Sequence, residues 1–352
     1  MKIYNKLCIS LSLCLGMMMG ACTSDDGVGE QQSKGLMPVL FSAGHVETAL
    51  TRAASATYMP EGSRFAGAMF FHAKANDDNE SAFYSEDYPL LEDVNMASAS
   101  LKVDNAYGNA AYQGTAFYWQ NRLNHVFIGL ADNNHLTSAP AVQVGEKVAF
   151  DLTHGDKTSM AQQPDPLLAV TTMSPAGATP EANRVNLFFK HQFAQIQVNL
   201  KGSQDESVDI DETLIECVEL LGVAEEAYVT FAINPDGTVP VAEAADYPDG
   251  SSFLMFQRAT VPIGYLKSFE AIAFGTLQGI RITWKESAAA DAVRHVTTFK
   301  GVKGTKLKSG TKYIYNMELR RSLVAQVSAT VKPWDMDATD YSADGTITED
   351  NE

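Results

Sequence analysis

The sequence predicts an all-β protein. Short apolar runs recur along the whole chain and are separated by Gly, Pro, Asn and Asp turn signals. No stretch sustains a helical apolar period over three turns, Glu92 to Leu101 being the only segment whose spacing allows one. The last apolar run alternates strictly, with Leu323, Ala325, Val327, Ala329 and Val331 on one face. At 352 residues, 45% hydrophobic and 20% charged, the chain is globular and long enough for two domains of ordinary size. Its formal charge of −17 argues against nucleic acid as a partner, because there is no cation excess to release phosphate counterions.

Residues 1–22 read as a secretion signal: Lys2 and Lys6, an apolar run from Leu7 to Met19, then Gly20-Ala21-Cys22. Met19-Gly20-Ala21-Cys22 resembles a bacterial lipobox, which makes Cys22 the lipidation site of a lipoprotein precursor; a plain signal peptide is the alternative. Ser24-Asp25-Asp26 resembles a surface-export signal. Cys8 and Cys14 leave with the signal, so Cys217 has no partner for an intrachain disulfide and reads as a small buried hydrophobe. No second apolar run reaches membrane-spanning length, which leaves the lipid as the only membrane contact.

Residues 23–36 are rich in Ser, Gly, Gln and acids, a tether. Met37 to Arg52 then reads as one long strand. Val39, Phe41 and Ala43 share a parity, and after Gly44 the apolar set shifts to Val46, Thr48 and Leu50, the sequence signature of a β-bulge. Two readings stay open: an ordinary first strand, or a temporary plug removable at Arg52. The small residues from Ala53 onward would expose the Arg52–Ala53 bond to a protease. Residues 23–52 are therefore set apart as a propeptide; residues 1–52 hold as many basic as acidic side chains, so their loss leaves the net charge unchanged.

The body follows in order. Strands are expected at Phe65–His72, Thr115–Trp119, His125–Leu130, Val142–Leu152 and Leu167–Thr171. Ser174 to Arg184 has no apolar periodicity and reads as a linker dividing domains at 53–182 and 183–334. Val185 to Leu200 restarts the strand texture, and Asn234-Pro-Asp-Gly237 is a strong turn after Tyr228–Ile233. Phe253–Pro262, Phe269–Gly275, Gly279–Lys285 and Val293–Phe299 continue it. Tyr313, Tyr315, Met317 and Leu319 form one apolar face, and the free-ended Leu323–Val331 strand follows. An acidic tail, 335–352, closes the chain. A free apolar strand is a hazard unless paired.

Taken together, these features resemble the fimbrillin family, the pilins and related subunits of Bacteroidetes pili. The matching residues are the lipobox at Cys22, the strand ending in Thr51-Arg52-Ala53, Asp165-Pro-Leu-Leu-Ala169 and Val185-Asn-Leu-Phe-Phe-Lys-His191. Leu307-Lys-Ser-Gly-Thr-Lys-Tyr313 and Val331-Lys-Pro-Trp334 complete the set. Tyr58-Met-Pro-Glu-Gly62, where many members carry a Trp and a Gly-Asp pair, departs from the pattern, as does the tail beyond Trp334. The resemblance implies two transthyretin-like β-sandwich domains in tandem and an outer-membrane lipoprotein precursor that becomes part of a cell-surface fimbrium. It also implies cleavage after Arg52 by an arginine-specific protease, with Val39, Phe41, Val46 and Leu50 on the plug and Leu323–Val331 as the donor strand for a neighbouring subunit. Partners are then other copies of the chain or related subunits, head to tail, and a host or bacterial surface ligand.

No catalytic motif is found, and no cofactor or metal is expected. The seven histidines lack HExxH or CxxC spacing. His191 borders an apolar strand and reads as a satisfied core or strand-edge residue. Asn76–Glu80 and Asp205–Glu212 read as solvated acidic loops without EF-hand spacing. Lys300, Lys303, Lys306, Lys308 and Lys312 form a basic cluster that reads as a solvated hairpin or as a contact for an acidic face of a neighbour. The leading functional expectation is a structural shaft pilin rather than an enzyme. The alternatives are a tip adhesin, a lipid-anchored minor subunit, or a monomeric carbohydrate-binding surface lipoprotein.

Overall fold

Period-two alternation marks strands such as Val185–His191 and Thr311–Leu319, whereas His125–Asp132 and Ala194–Gly202 are buried on both faces. A computed structural model describes residues 37–45, 57–72, 94–202, 211–234, 237–245, 251–285, 287–319, 324–334 and 345–347. The first half supplies β1 (Phe41–His45), β2 (Thr57–Tyr58), β3 (Arg64–His72), β4 (Val94–Val103) and β5 (Asn109–Tyr112). β6 (His125–Asp132), β7 (Lys147–Asp151), β8 (Pro166–Met173) and β9 (Val185–His191) follow. The second half begins with β10 (Ala194–Gly202), β11 (Ile215–Val223), β12 (Glu226–Thr230), β13 (Glu243–Ala244), β14 (Ser252–Leu254) and β15 (Phe256–Gln257). It continues with β16 (Lys267–Ala273), β17 (Gly275–Lys285), β18 (Arg294–Phe299) and β19 (Thr305–Lys306). β20 (Thr311–Leu319), β21 (Val324–Pro333) and β22 (Gly345–Ile347) end it. Among the described residues the only helical elements are short 3₁₀ turns, so the fold is all-β.

The first sheet runs β2-β1-β5-β4-β3-β6-β8-β9, and β1 also pairs with β9, which closes the sheet on itself. A core of Val39, Phe41, Ala43, Phe65, Phe127, Leu187, Phe189 and neighbours fills its inside. A second core joins the opposite faces of β3 and β6 (Ala68, Phe70, Ile128, Leu130) to the second half through Phe193, Ile196, Val198 and Trp284. β10 lies between β16 and β20 in a sheet ordered β15-β16-β10-β20-β21-β22; β14, β11, β17 and β18 form another. β7 pairs antiparallel with β12, so one small sheet draws strands from both sides of the expected linker.

Several expectations change. Glu92–Leu101 is mostly β4, paired along its length with β3, which overrides its weak helical spacing. Thr115–Trp119 forms no regular strand: it runs beside residues 37–39 through one bridge, Pro38 to Tyr118. Only Lys147–Asp151 of Val142–Leu152 is strand. Val185–Leu200 is two strands, broken at Gln192-Phe193 so that β9 and β10 enter different sheets. Gly44 pairs in unbroken register with Tyr58 and Phe188, so the described part of β1 carries no bulge there. Cys217 is half-buried, beside a register shift in β11, rather than a core residue. The turn at Asn234 holds: the Gly237 amide donates to the Asn234 carbonyl at 2.9 Å, and Gly237 has φ 82°.

Candidate functional site: the first and last strands

β1 is held on both edges. One edge pairs antiparallel with β5 (Phe41 opposite Ala110) and then β2 (Gly44 opposite Tyr58). The other runs parallel to β9, from Phe41 opposite Val185 to His45 opposite Phe189. Upstream, the Val39 amide donates to the Phe117 carbonyl at 3.0 Å and the Trp119 amide to the Met37 carbonyl at 2.9 Å. The Tyr112 hydroxyl donates to the Val39 carbonyl at 2.8 Å; burial pushes that phenol well above its ordinary pKa, so it remains a donor. Arg184 donates to the Phe41 carbonyl at 3.2 Å, and the Ser42 hydroxyl donates to the Asn186 side-chain oxygen.

β1 is covered on both faces, with Ser42 buried between the apolar positions. Val39, Phe41 and Ala43 are fully buried. The Phe41 ring meets Tyr112 and Phe117 at 6.0 Å and Phe127 at 5.5 Å, all edge to face. Val46, Leu50, Arg52 and Ala53 lie outside the described residues, as do Cys22 and Leu323.

Ser174–Arg184 is a loop organised by one buried side chain. Asn183 accepts from the Ala176 and Gly177 amides at 2.8 Å and donates to the Gly177 and Thr179 carbonyls and to the Met37 sulfur. The loop thereby touches the segment leading into β1. Nothing in the local sequence marks Asn183 for that role.

The last strands sit at the far edge of the second half. β21 pairs antiparallel with β20 from Thr311–Pro333 to Leu319–Val324. Ala329 packs partly buried against the core, whereas Val331 is 51% exposed at the strand's end; Val327 lies opposite Met317, and Ala325 falls at a register shift, which interrupts the strict alternation expected of this strand. The described part of the expected donor, from Val324 on, is therefore paired and not free. β22, from within the acidic tail, pairs with its outer edge from Val327–Ile347 to Ala329–Gly345.

A buried polar node joins the end of β9 to the chain just past β21. His191, at the end of β9, shares a 2.8 Å hydrogen bond with Asp165, which also accepts from the Asn133 side chain at 3.0 Å. Burial raises the Asp165 pKa, while the His191 and Asn133 hydrogen bonds oppose that rise. Trp334, just past β21, stacks on His191 with centroids 4.0 Å apart, and its amide donates to the Gly310 carbonyl at 2.7 Å. The stacking brings together two residues 143 positions apart, His191 and Trp334, which spacing alone could not pair.

The arrangement offers strand pairing rather than bond chemistry. Among the described residues, no three His, Cys, Asp or Glu side chains converge to hold a metal ion, and no helix is long and apolar enough to cross a membrane. Lys300, Lys303, Lys306 and Lys308 are exposed. The fimbrillin-like family model matches residues 51–334. The chain belongs to the fimbrillin-like family. The match covers most of the chain and leaves out β1 and the acidic tail. Membership makes this fimbrillin-like chain a pilus-associated, cell-surface subunit of a structural rather than enzymatic family. Among solved structures, a candidate cell adhesion protein from Bacteroides uniformis aligns at a TM-score of 0.52 and 15% identity, over 86% of this chain and 100% of that one. One from Bacteroides ovatus aligns at 0.53 and 13%, over 87% and 100%. The tip fimbrial protein Mfa3 from Porphyromonas gingivalis, with a C-terminal truncation, aligns at 0.44 and 10%, over 84% and 99%. No curated protein matches the chain.

Proposed function

We propose that this fimbrillin-like protein is a shaft pilin that matures by cleavage after Arg52 and polymerises by strand exchange. The observation that carries the reading is the position of β1. It is the single strand bridging β5 and β9, so its departure would reopen the first sheet and bare the pocket that Val39, Phe41 and Ala43 fill. A groove with two unpaired edges and an apolar floor suits an added strand: main-chain hydrogen bonds give affinity and alternate side-chain pockets give specificity.

β21, with apolar positions Leu323, Ala325, Val327, Ala329 and Val331, is the segment best suited to be given. Each large aliphatic gains about 1.5–3 kcal/mol on full burial, and each ladder hydrogen bond adds about 0.5–1.5 kcal/mol net. A groove on one face and a donor elsewhere make a heterologous contact that does not close, hence a filament. Lipidation at Cys22 delivers the precursor to the outer membrane, and two transthyretin-like sandwiches, 53–182 and 183–334, form the rod. The first core runs from residue 39 to 189 and β9 belongs to the first sheet, so the first sandwich takes its last strand from beyond residue 182, and β7 pairs across the same division.

The test is protease maturation of purified Arg52→Ala. This variant is expected to stay monomeric on non-denaturing gels while the wild type forms ladders. Equal ladders from both would end the plug reading.

A further inference from the structure

We propose that the acidic tail carries a built-in cover for the outer edge of β21, formed by Gly345–Ile347. β21 is paired with β20 along its inner edge, with one register shift beside Ala325, and β22 is the strand that pairs with its outer edge. A ten-residue strand with an open edge is a template for any extended chain. The sequence of the cover fits its register. Two cross-sheet rows run Leu200, Met317, Val327, Ile347 and Val198, Tyr315, Ala329, Gly345; Leu200, Met317, Val198 and Tyr315 in them are buried. Between them lies a polar row, Asn199, Asn316, Ser328, Thr346. The β-branched apolar residue of the tail thus falls in an apolar row, and its threonine falls in the polar one.

The cover also ends the sheet. It is three residues long and flanked in sequence by Asp344 on one side and Glu349-Asp350 on the other. A short edge strand bordered by like charges is a poor template for further pairing. The cover lies beyond the family match, which ends at Trp334. Its consequence for assembly rests on the strand-exchange reading: β21 cannot be given to a neighbour until Gly345–Ile347 lifts away.

The experiment is hydrogen–deuterium exchange of the Val324–Pro333 segment in the full-length uncut chain, in a chain ending after Trp334, and in Thr346→Pro. Proline removes an amide and obstructs strand pairing while leaving the rest of the tail in place. Both variants are expected to exchange about tenfold faster across Val327–Ala329, with the protection of β10 and β16 unchanged. Exchange as slow as in the wild type would overturn the cover. On protease-matured protein, Thr346→Pro is expected to polymerise faster; an unchanged rate beside faster exchange would remove the gating role. Polymerisation of Arg52→Ala would instead sink the strand-exchange reading and leave the exchange result standing.

Discussion

Truncating Phe41 separates stability from assembly. Its ring is almost fully buried and meets three aromatic rings edge to face. Phe41→Ala removes that packing and leaves a cavity that β5, β9 and the Phe117 loop, each pinned by its own ladder or hydrogen bonds, cannot fill. Changes of this kind cost about 3–5 kcal/mol, which urea unfolding of the uncut precursor would read as a lower midpoint at unchanged slope. In a matured subunit the same loss weakens only the leaving strand, because the incoming donor brings its own side chains to the groove. If departure of β1 limits assembly, a loss of this size speeds exchange by about two to four powers of ten. The assay is light scattering after protease addition, calibrated against the amount of cut chain. A variant that is less stable yet assembles faster is the expected result. Slower assembly at complete cleavage would show that β1 is not the leaving group, and a stability loss below about 1 kcal/mol would refute the packing argument.

Three further perturbations follow from the geometry. Gly108 has φ +71°, and a Cβ there would lie 2.4 Å from the Ala43 carbonyl oxygen, so Gly108→Ala combines backbone strain with a push on β1; a loss of about 1–3 kcal/mol or more is expected, read by thermal unfolding with faster amide exchange in β1. Burial lowers the His125 pKa to about 4, and its ring nitrogens already meet the Leu123 carbonyl and the Gln120 amide. The unfolded chain therefore binds a proton near pH 6.5 that the folded chain refuses. Stability should be full above pH 6.5 and fall by about 3 kcal/mol on acidification toward pH 4, and His125→Phe should flatten that part of the melting-temperature profile. Trp334→Ala should remove about 1–3 kcal/mol and deprotect the end of β21 in hydrogen exchange; unchanged protection there would show that the stack on His191 does not hold the strand.

The strand texture was legible because it is local. Tyr313, Tyr315, Met317 and Leu319 alternate in sequence and are all buried in β20, and the Asn234–Gly237 turn follows from residue types within four consecutive positions. Aromatic content misled at Thr115–Trp119, where the chain runs alongside residues 37–39 but makes only one bridge. Continuity misled at Val185–Leu200: the apolar set changes from odd positions (Val185, Leu187, Phe189) to even ones (Ala194, Ile196, Val198) at Phe193-Ala194, and that phase change marks where the chain passes from one sheet to another. Cys217 read as core because its neighbours are apolar, yet it sits half-exposed at an irregularity.

The sequence by itself determined an all-β chain with an apolar strand near each end and no motif for bond chemistry. Its family likeness rested on scattered residues, from Thr51-Arg52-Ala53 to Trp334. Only the tertiary structure decided what those strands touch. Phe41 pairs with Ala110 on one side and Val185 on the other, and Trp334 stacks on His191. The tail of the chain turns back to pair at Val327–Ala329. Alternation records which face of a strand is buried, because burial acts on each residue where it stands. It does not record which edge meets which, because main-chain hydrogen bonds are the same for every residue, and long-range packing selects among them.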